Sequence, residues 1–226
     1  MSALFLNRTE AGRQLAARLA ELRSQPEVIV LGLPRGGVPV AHEVARALGA
    51  PLDIFTVRKI GVPAEPELAM GAVASGGVRV VNTEVVRMLG IERRVFDQVT
   101  EAEQRELARR EERYRQGRPF PPLRGATVVL VDDGVATGST MRAAVLALRQ
   151  HEPATIIVAT PVMSLSAKAA LEQVADRCVF VATPEPFFGV AAWYRDFTQT
   201  TDEEVDALLA ARAGTPPDQA LAGNPV

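Results

Sequence analysis

Apolar residues fall along this chain in two alternating patterns. Short continuous runs, rich in β-branched side chains, occupy residues 28–33, 52–57, 128–131, 155–161 and 177–183. Such runs predict strands buried on both faces. Between them, apolar positions recur every three or four residues, predicting helices over 38–48, 141–148 and 164–174, the last capped by Ser164. A further helix is predicted at 9–23, with Ala11, Leu15, Ala16, Leu19 and Leu22 inward and Thr9 as its cap. Strand alternating with helix predicts an α/β fold, a mostly parallel sheet with helices on both faces.

The middle and end of the chain break this rhythm. Residues 60–68 carry Gly61, Pro63 and Pro66 and read as a loop. Residues 69–74 and 78–81 read as a hairpin about Ser75-Gly76-Gly77, so 59–82 is expected to be a flexible loop and hairpin. A short helix to Leu89 is followed by a long charged one over 92–116, with Glu→Arg pairs at 101/105, 106/110 and 111/115. Its narrow apolar stripe, Val95, Phe96, Val99, Leu107 and Tyr114, would favour a homodimer if exposed. Residues 118–125 form a Pro-rich connector. Residues 184–201 hold five of the eleven aromatic residues, and a last helix runs from 202 to about 212. Residues 1–212 are expected to form one domain, and 213–226 a disordered tail.

Composition narrows the function classes. A net charge of −2 and a pI near 5.8 argue against a nucleic-acid partner. The single Cys178 excludes an intrachain disulfide and sits in an apolar run, as a core residue would. With no signal-peptide pattern and no membrane-length apolar run, a cytoplasmic protein is expected. Only two lysines, Lys59 and Lys168, stand among the 25 Lys and Arg residues, so each marks a position where a compact amine is retained.

The chemistry concentrates in 128–141, Val-Val-Leu-Val-Asp-Asp-Gly-Val-Ala-Thr-Gly-Ser-Thr-Met. A buried strand ends in Asp132 and Asp133, and a small, hydroxyl-rich loop then enters a helix. The first amides of a helix lack internal partners and favour an anion, and glycines let a ligand approach the backbone. Two acids beside an anion cradle make sense if they bind sugar hydroxyls or a hydrated Mg²⁺ next to the phosphate. A second strand–loop–helix unit carries Pro34-Arg35-Gly36-Gly37, and a third strand closes in Arg58-Lys59. Cations there are costly unless an anion meets them. These segments, with 161–164, fall at one carboxyl edge of the predicted sheet, where such folds bind ligands.

Four apolar residues, two acids, two variable positions and Ala-Thr-Gly-Ser-Thr resemble the signature of the type I phosphoribosyltransferases. The resemblance implies transfer of the 5-phosphoribosyl group of phosphoribosyl pyrophosphate (PRPP) to a nitrogenous base, with release of pyrophosphate and dependence on Mg²⁺. It implies that Ala136, Thr137, Gly138, Ser139 and Thr140 hold the 5′-phosphate, and that Asp132 and Asp133 contact the ribose hydroxyls and organise Mg²⁺ through water. Arg35, Gly36, Gly37 and Arg58 would receive pyrophosphate, and Lys59 would act beside the acids. A small hood would close over the base, and Phe187, Phe188 and Trp193 are the candidates for it. Glu67 on the flexible loop could exchange a proton with the base. Ala136 departs from purine-type members that carry an acid there, which weakens a hypoxanthine/guanine assignment. The alternative is a regulatory protein that binds PRPP or a nucleotide without catalysis. A PRPP-making diphosphokinase would need a second similar domain, and a P-loop NTPase would need Gly-x-x-x-x-Gly-Lys-Ser/Thr; the sequence has neither.

Overall fold

The computed structural model describes residues 3–63 and 65–213. In chain order its elements are α1 (Arg8–Ala17), β1 (Val28–Gly32), α2 (Gly37–Leu48), β2 (Leu52–Ile54), β3 (Val57–Val62), β4 (Glu65–Ala74), β5 (Val78–Val81), α3 (Thr83–Met88), α4 (Arg93–Arg115), β6 (Thr127–Val131), α5 (Ser139–Arg149), β7 (Thr155–Val162), α6 (Leu165–Leu171), β8 (Arg177–Ala182) and α7 (Asp202–Ala213).

Five strands form a parallel sheet in the order β2-β1-β6-β7-β8, as the buried apolar runs predict. Strand alternation sorts the side chains into two cores. Val30, Val129, Val131, Ile157 and Ala159 pack under α1, α2 and α7. Leu31, Val128, Leu130, Ile156 and Val158 pack under α5 and α6. Cys178 is half-buried on the edge strand, where burial pushes its thiol up to about 11, far from a reactive thiolate.

Several boundaries differ from the sequence expectation, each for a local reason. Helix α1 is capped by Asn7, whose side chain accepts from the Glu10 amide, and the rest of the predicted helix is a 3₁₀ turn, Ala20–Ser24. The run at 52–57 is divided: β2 belongs to the parallel sheet, while Val57 starts a three-stranded antiparallel ribbon, β3-β4-β5. Residues 60–68, expected as a loop, are largely strand. Their prolines are tolerated because the register jumps between Gly61↔Ala69 and Val62↔Glu65, leaving 66–68 outside the ladder. The ribbon's inner face, Ile60, Val62, Met70 and Val73, packs on Val85, Phe96 and Leu107. Phe96 and Leu107 come from the α4 stripe and Tyr114 joins the main core, so the stripe is used within the chain and does not point to a dimer.

The last turn of α4 is fixed by a buried Arg115, which reaches Asp53 at 3.3 Å and donates to the Ile54 carbonyl at 2.9 Å. Residues 184–201 pack as a unit: Trp193 and Tyr194 are buried with Phe5, Ala11 and Val162, and Phe5 bridges Tyr194. The expected tail from 214 onward, and the side chain of Glu67, lie outside the described residues. No helix among the described residues is long and apolar enough to cross a membrane.

Candidate functional site

Two of the segments picked out in the sequence, 34–37 and 132–140, meet at the carboxyl ends of β1 and β6, while Arg58 and Lys59 lie within β3 of the ribbon. Contact between the two loops leaves no room for an added side chain without a shift. A Cβ on Gly36 would lie 2.1 Å from Asp133 Oδ2, and one on Gly37 would lie 2.7 Å from the Val131 carbonyl oxygen and 2.9 Å from Asp132 Cα. The loop after β1 is thus seated directly on the acid pair. Its Pro34–Arg35 peptide is cis.

Asp132 and Asp133 occupy unequal surroundings. The Asp132 carboxyl is held well above the usual carboxylate range, first by burial and then by the neighbouring Asp133 charge. Asp133 is also raised by burial, but Arg8 opposes the shift, its Nε donating to Asp133 Oδ2 at 2.8 Å. The same guanidinium lies 3.9 Å from the Phe197 ring centroid and donates to the Thr198 carbonyl at 2.7 Å. From the other side, the Tyr194 hydroxyl donates to the Asp133 carbonyl. Arg8 and Tyr194 are the residues that the sequence reading misses. One signal for Arg8 is present: a cation at the first residue of α1 sits at the wrong end of the helix dipole, which calls for an external partner.

Beyond the acids, the chain from Ala136 to Gly138 turns into α5. Gly138 adopts φ +77°, and Thr137 and Ser139 expose hydroxyls 3.4 Å apart. Ser164 braces this turn: its hydroxyl donates to the Ala136 carbonyl and caps α6 by accepting from the Ala167 amide at 3.0 Å. Ser164→Ala is expected to cost about 1 kcal/mol of stability, the worth of a cap, readable as a lower denaturation midpoint; an unchanged midpoint would deny the brace.

Across the turn lies a cleft of about 630 Å³, which Lys59, Thr137, Gly138, Ser139 and Arg142 help to line. Lys59 therefore faces the hydroxyl loop, while Arg58 does not. Adjacent residues of a strand point to opposite faces, so Arg58 turns to α4 and pairs with Glu103. Arg142, one turn into α5, supplies the second cation of the cleft. Arg35 also points away from the acids, toward Asp202 at 3.8 Å.

Of the hood candidates, Trp193 is buried in the aromatic cluster and Phe187 packs against it, while Phe188 is 66% exposed. Residues 5–193 match the phosphoribosyl transferase domain family. The chain belongs to that family. Two Mycobacterium tuberculosis proteins, provisionally named phosphoribosyl transferases, are each 51% identical to it over 206 residues, 91% of this chain. The chain spans 46% of the length of these curated relatives. The crystal structure of the Thermus thermophilus protein TT1426 is 44% identical and superposes with a TM-score of 0.84 over 93% of this chain and 99% of that one. In this phosphoribosyl transferase domain the parallel sheet and the signature loop stand where the sequence places them. The ribbon, α4 and the aromatic segment are built around them.

Proposed function

We propose that the protein transfers the 5-phosphoribosyl group of PRPP to a nitrogenous base and releases pyrophosphate. The observation that carries this reading is the seating of Gly36 and Gly37 on Asp132 and Asp133, one turn away from the hydroxyl loop. That arrangement offers amides for one phosphate, acids for a ribose diol and a second loop for the leaving group, in a single cleft edge.

In the reaction a base nitrogen forms a bond to C1 of the ribose as the bond from C1 to the pyrophosphate oxygen breaks, and the base gives up a proton. The sugar gains oxocarbenium character and the leaving group gains charge, so the protein contributes position and electrostatics. The amides and hydroxyls of 136–140 would hold the 5′-phosphate, with Lys59 and Arg142 facing it. Asp132 and Asp133 would hold the ribose hydroxyls, and the Gly36 amide the pyrophosphate, the Gly37 amide being taken by the Leu33 carbonyl at 3.0 Å. Arg58, paired with Glu103, would first have to change partner to join them.

The donor set suits Mg²⁺ in its usual mode, one or two carboxylates with substrate phosphates and water completing the shell. Among the described residues there is no cluster of three or more metal-ligating side chains that would hold an ion alone. Asp132 and Asp133 would hold it, and its charge would offset that of the pyrophosphate.

The test is pyrophosphate release from PRPP and Mg²⁺ against a panel of purine and pyrimidine bases, each beside a no-base blank. Release with one base identifies the acceptor. PRPP binding without release from any base would favour the regulatory alternative, and absence of PRPP binding would end the reading.

A further inference from the structure

The second half of α4 lies opposite Arg35 and the start of α7. Together they enclose a cavity of about 490 Å³, lined by Arg35, Arg109, Arg110, Arg113, Tyr114 and Asp202 among others. Among the described residues, four guanidinium groups face this space and a single carboxylate does. The remaining counter-charges stand outside the lining and are shared. Arg109 and Arg110 both lean on Glu106, at 2.8 and 2.9 Å, and Arg113 reaches Glu203 at 2.8 Å. Inside, Asp202 serves Arg35 at 3.8 Å, Arg113 at 3.5 Å and the Tyr114 hydroxyl. Each guanidinium carries five donors, so donors far outnumber the acceptors within the cavity.

The helix that carries three of these arginines is held in place. Tyr114 is tied to Asp202, and Arg115 anchors the end of α4 to Asp53 and Ile54. Planar guanidinium forks around a space with room for more than one phosphate group match phosphate oxygens in pairs.

We propose that this cavity is a second anion site, separate from the 136–140 loop, and that it takes a polyphosphate group, either pyrophosphate or the tail of a nucleoside triphosphate. The bound phosphates would take over Asp202 as the partner of Arg35 and Arg113. The cavity shares Arg35 with the loop assigned to the leaving group, so a pyrophosphate held here rests on the transfer reading, whereas a nucleoside triphosphate does not.

The experiment is calorimetric titration of inorganic pyrophosphate, and separately of ATP, into the full chain and three variants. In Arg109→Gln/Arg113→Gln, affinity is expected to fall by about tenfold or more, the loss of at least one good charged contact. In Thr137→Ala/Ser139→Ala, which touches only the signature loop, at least one of the two probes should keep its affinity. Because Arg113 also holds α7, Arg109→Glu is the second test: its side chain braces no other element and its reversal must weaken binding too. Stronger binding of ATP than pyrophosphate names a nucleotide as the occupant, and the reverse names pyrophosphate. Binding of neither probe, loss only in the loop variant, or full binding in Arg109→Glu would overturn the proposal.

Discussion

Asp132→Asn is expected to lower turnover by about 10²–10³, the usual cost of losing one transition-state contact, and at the same time to raise the melting temperature. Both effects come from the same placement. Asp132 is half-buried beside a second carboxylate, and desolvation with the neighbouring charge raises its pKa in the folded chain. A carboxyl that binds its proton more tightly folded than unfolded loses stability as pH rises from the ordinary carboxylate range through the raised value, and regains it on acidification. Replacing it with a neutral amide removes that penalty, so the gain in melting temperature should be larger at about pH 8 than at about pH 5. Asp133→Asn should give a similar loss of turnover with a smaller gain in melting temperature. Its carboxylate is the partner of Arg8, whose side chain is 11% exposed, and that cation offsets part of the cost of burying the acid. Turnover and melting curves at two pH values check the pair. If both variants keep full turnover, the acids leave the mechanism; if Asp133→Asn gains as much stability as Asp132→Asn or more, the two carboxylates are not the unequal pair described.

The second large effect is expected at Gly37. An added Cβ meets backbone on β6, the Val131 carbonyl and Asp132 Cα, and neither can swing aside. Gly37→Ala should therefore cost about 1–3 kcal/mol and move the start of α2 off the acid pair, with PRPP affinity falling along with stability. Gly36→Ala separates the two consequences. Its Cβ would meet the end of the Asp133 side chain, so the acid is displaced from Arg8 while the strand stays. The expected result is weakened PRPP binding in both variants and a lowered melting temperature chiefly in Gly37→Ala. Wild-type PRPP affinity in Gly37→Ala would show that the loop does not have to sit on the acids.

The parallel sheet was legible because strands buried on both faces must be apolar throughout, and each run is bounded by loop residues that carry chemistry. The acid pair and its glycines were legible for the same reason, since the chain keeps them within a few residues of a strand end. The ribbon was not. Pro63 and Pro66 argue against strand by local rules, and only the register break around 66–68 accommodates them. Arg58 and Lys59 read as one basic pair, yet pleating sends Lys59 to the hydroxyl loop and Arg58 to Glu103. Arg8 and Tyr194 act on Asp133 across 125 and 61 residues of sequence, and no periodicity encodes a contact of that range. The cavity under α4 has the same character: its arginines look like solvated partners of glutamates until Arg35 is folded opposite them.

The pairing of Phe5 with Tyr194 also has a temporal side. A ribosome adding roughly 5–20 residues per second takes on the order of ten to forty seconds to travel between those two positions. For that interval the strand edge bearing Asp132 and Asp133 can form while the Tyr194 hydroxyl and the Phe197 ring that stack around Asp133 and Arg8 are still unmade. The acid pair is thus finished only after the segment around Tyr194 has left the exit tunnel. A chain halted short of Trp193 would carry the whole signature loop and still lack the Tyr194 hydroxyl on the Asp133 carbonyl and the Phe197 ring beneath Arg8.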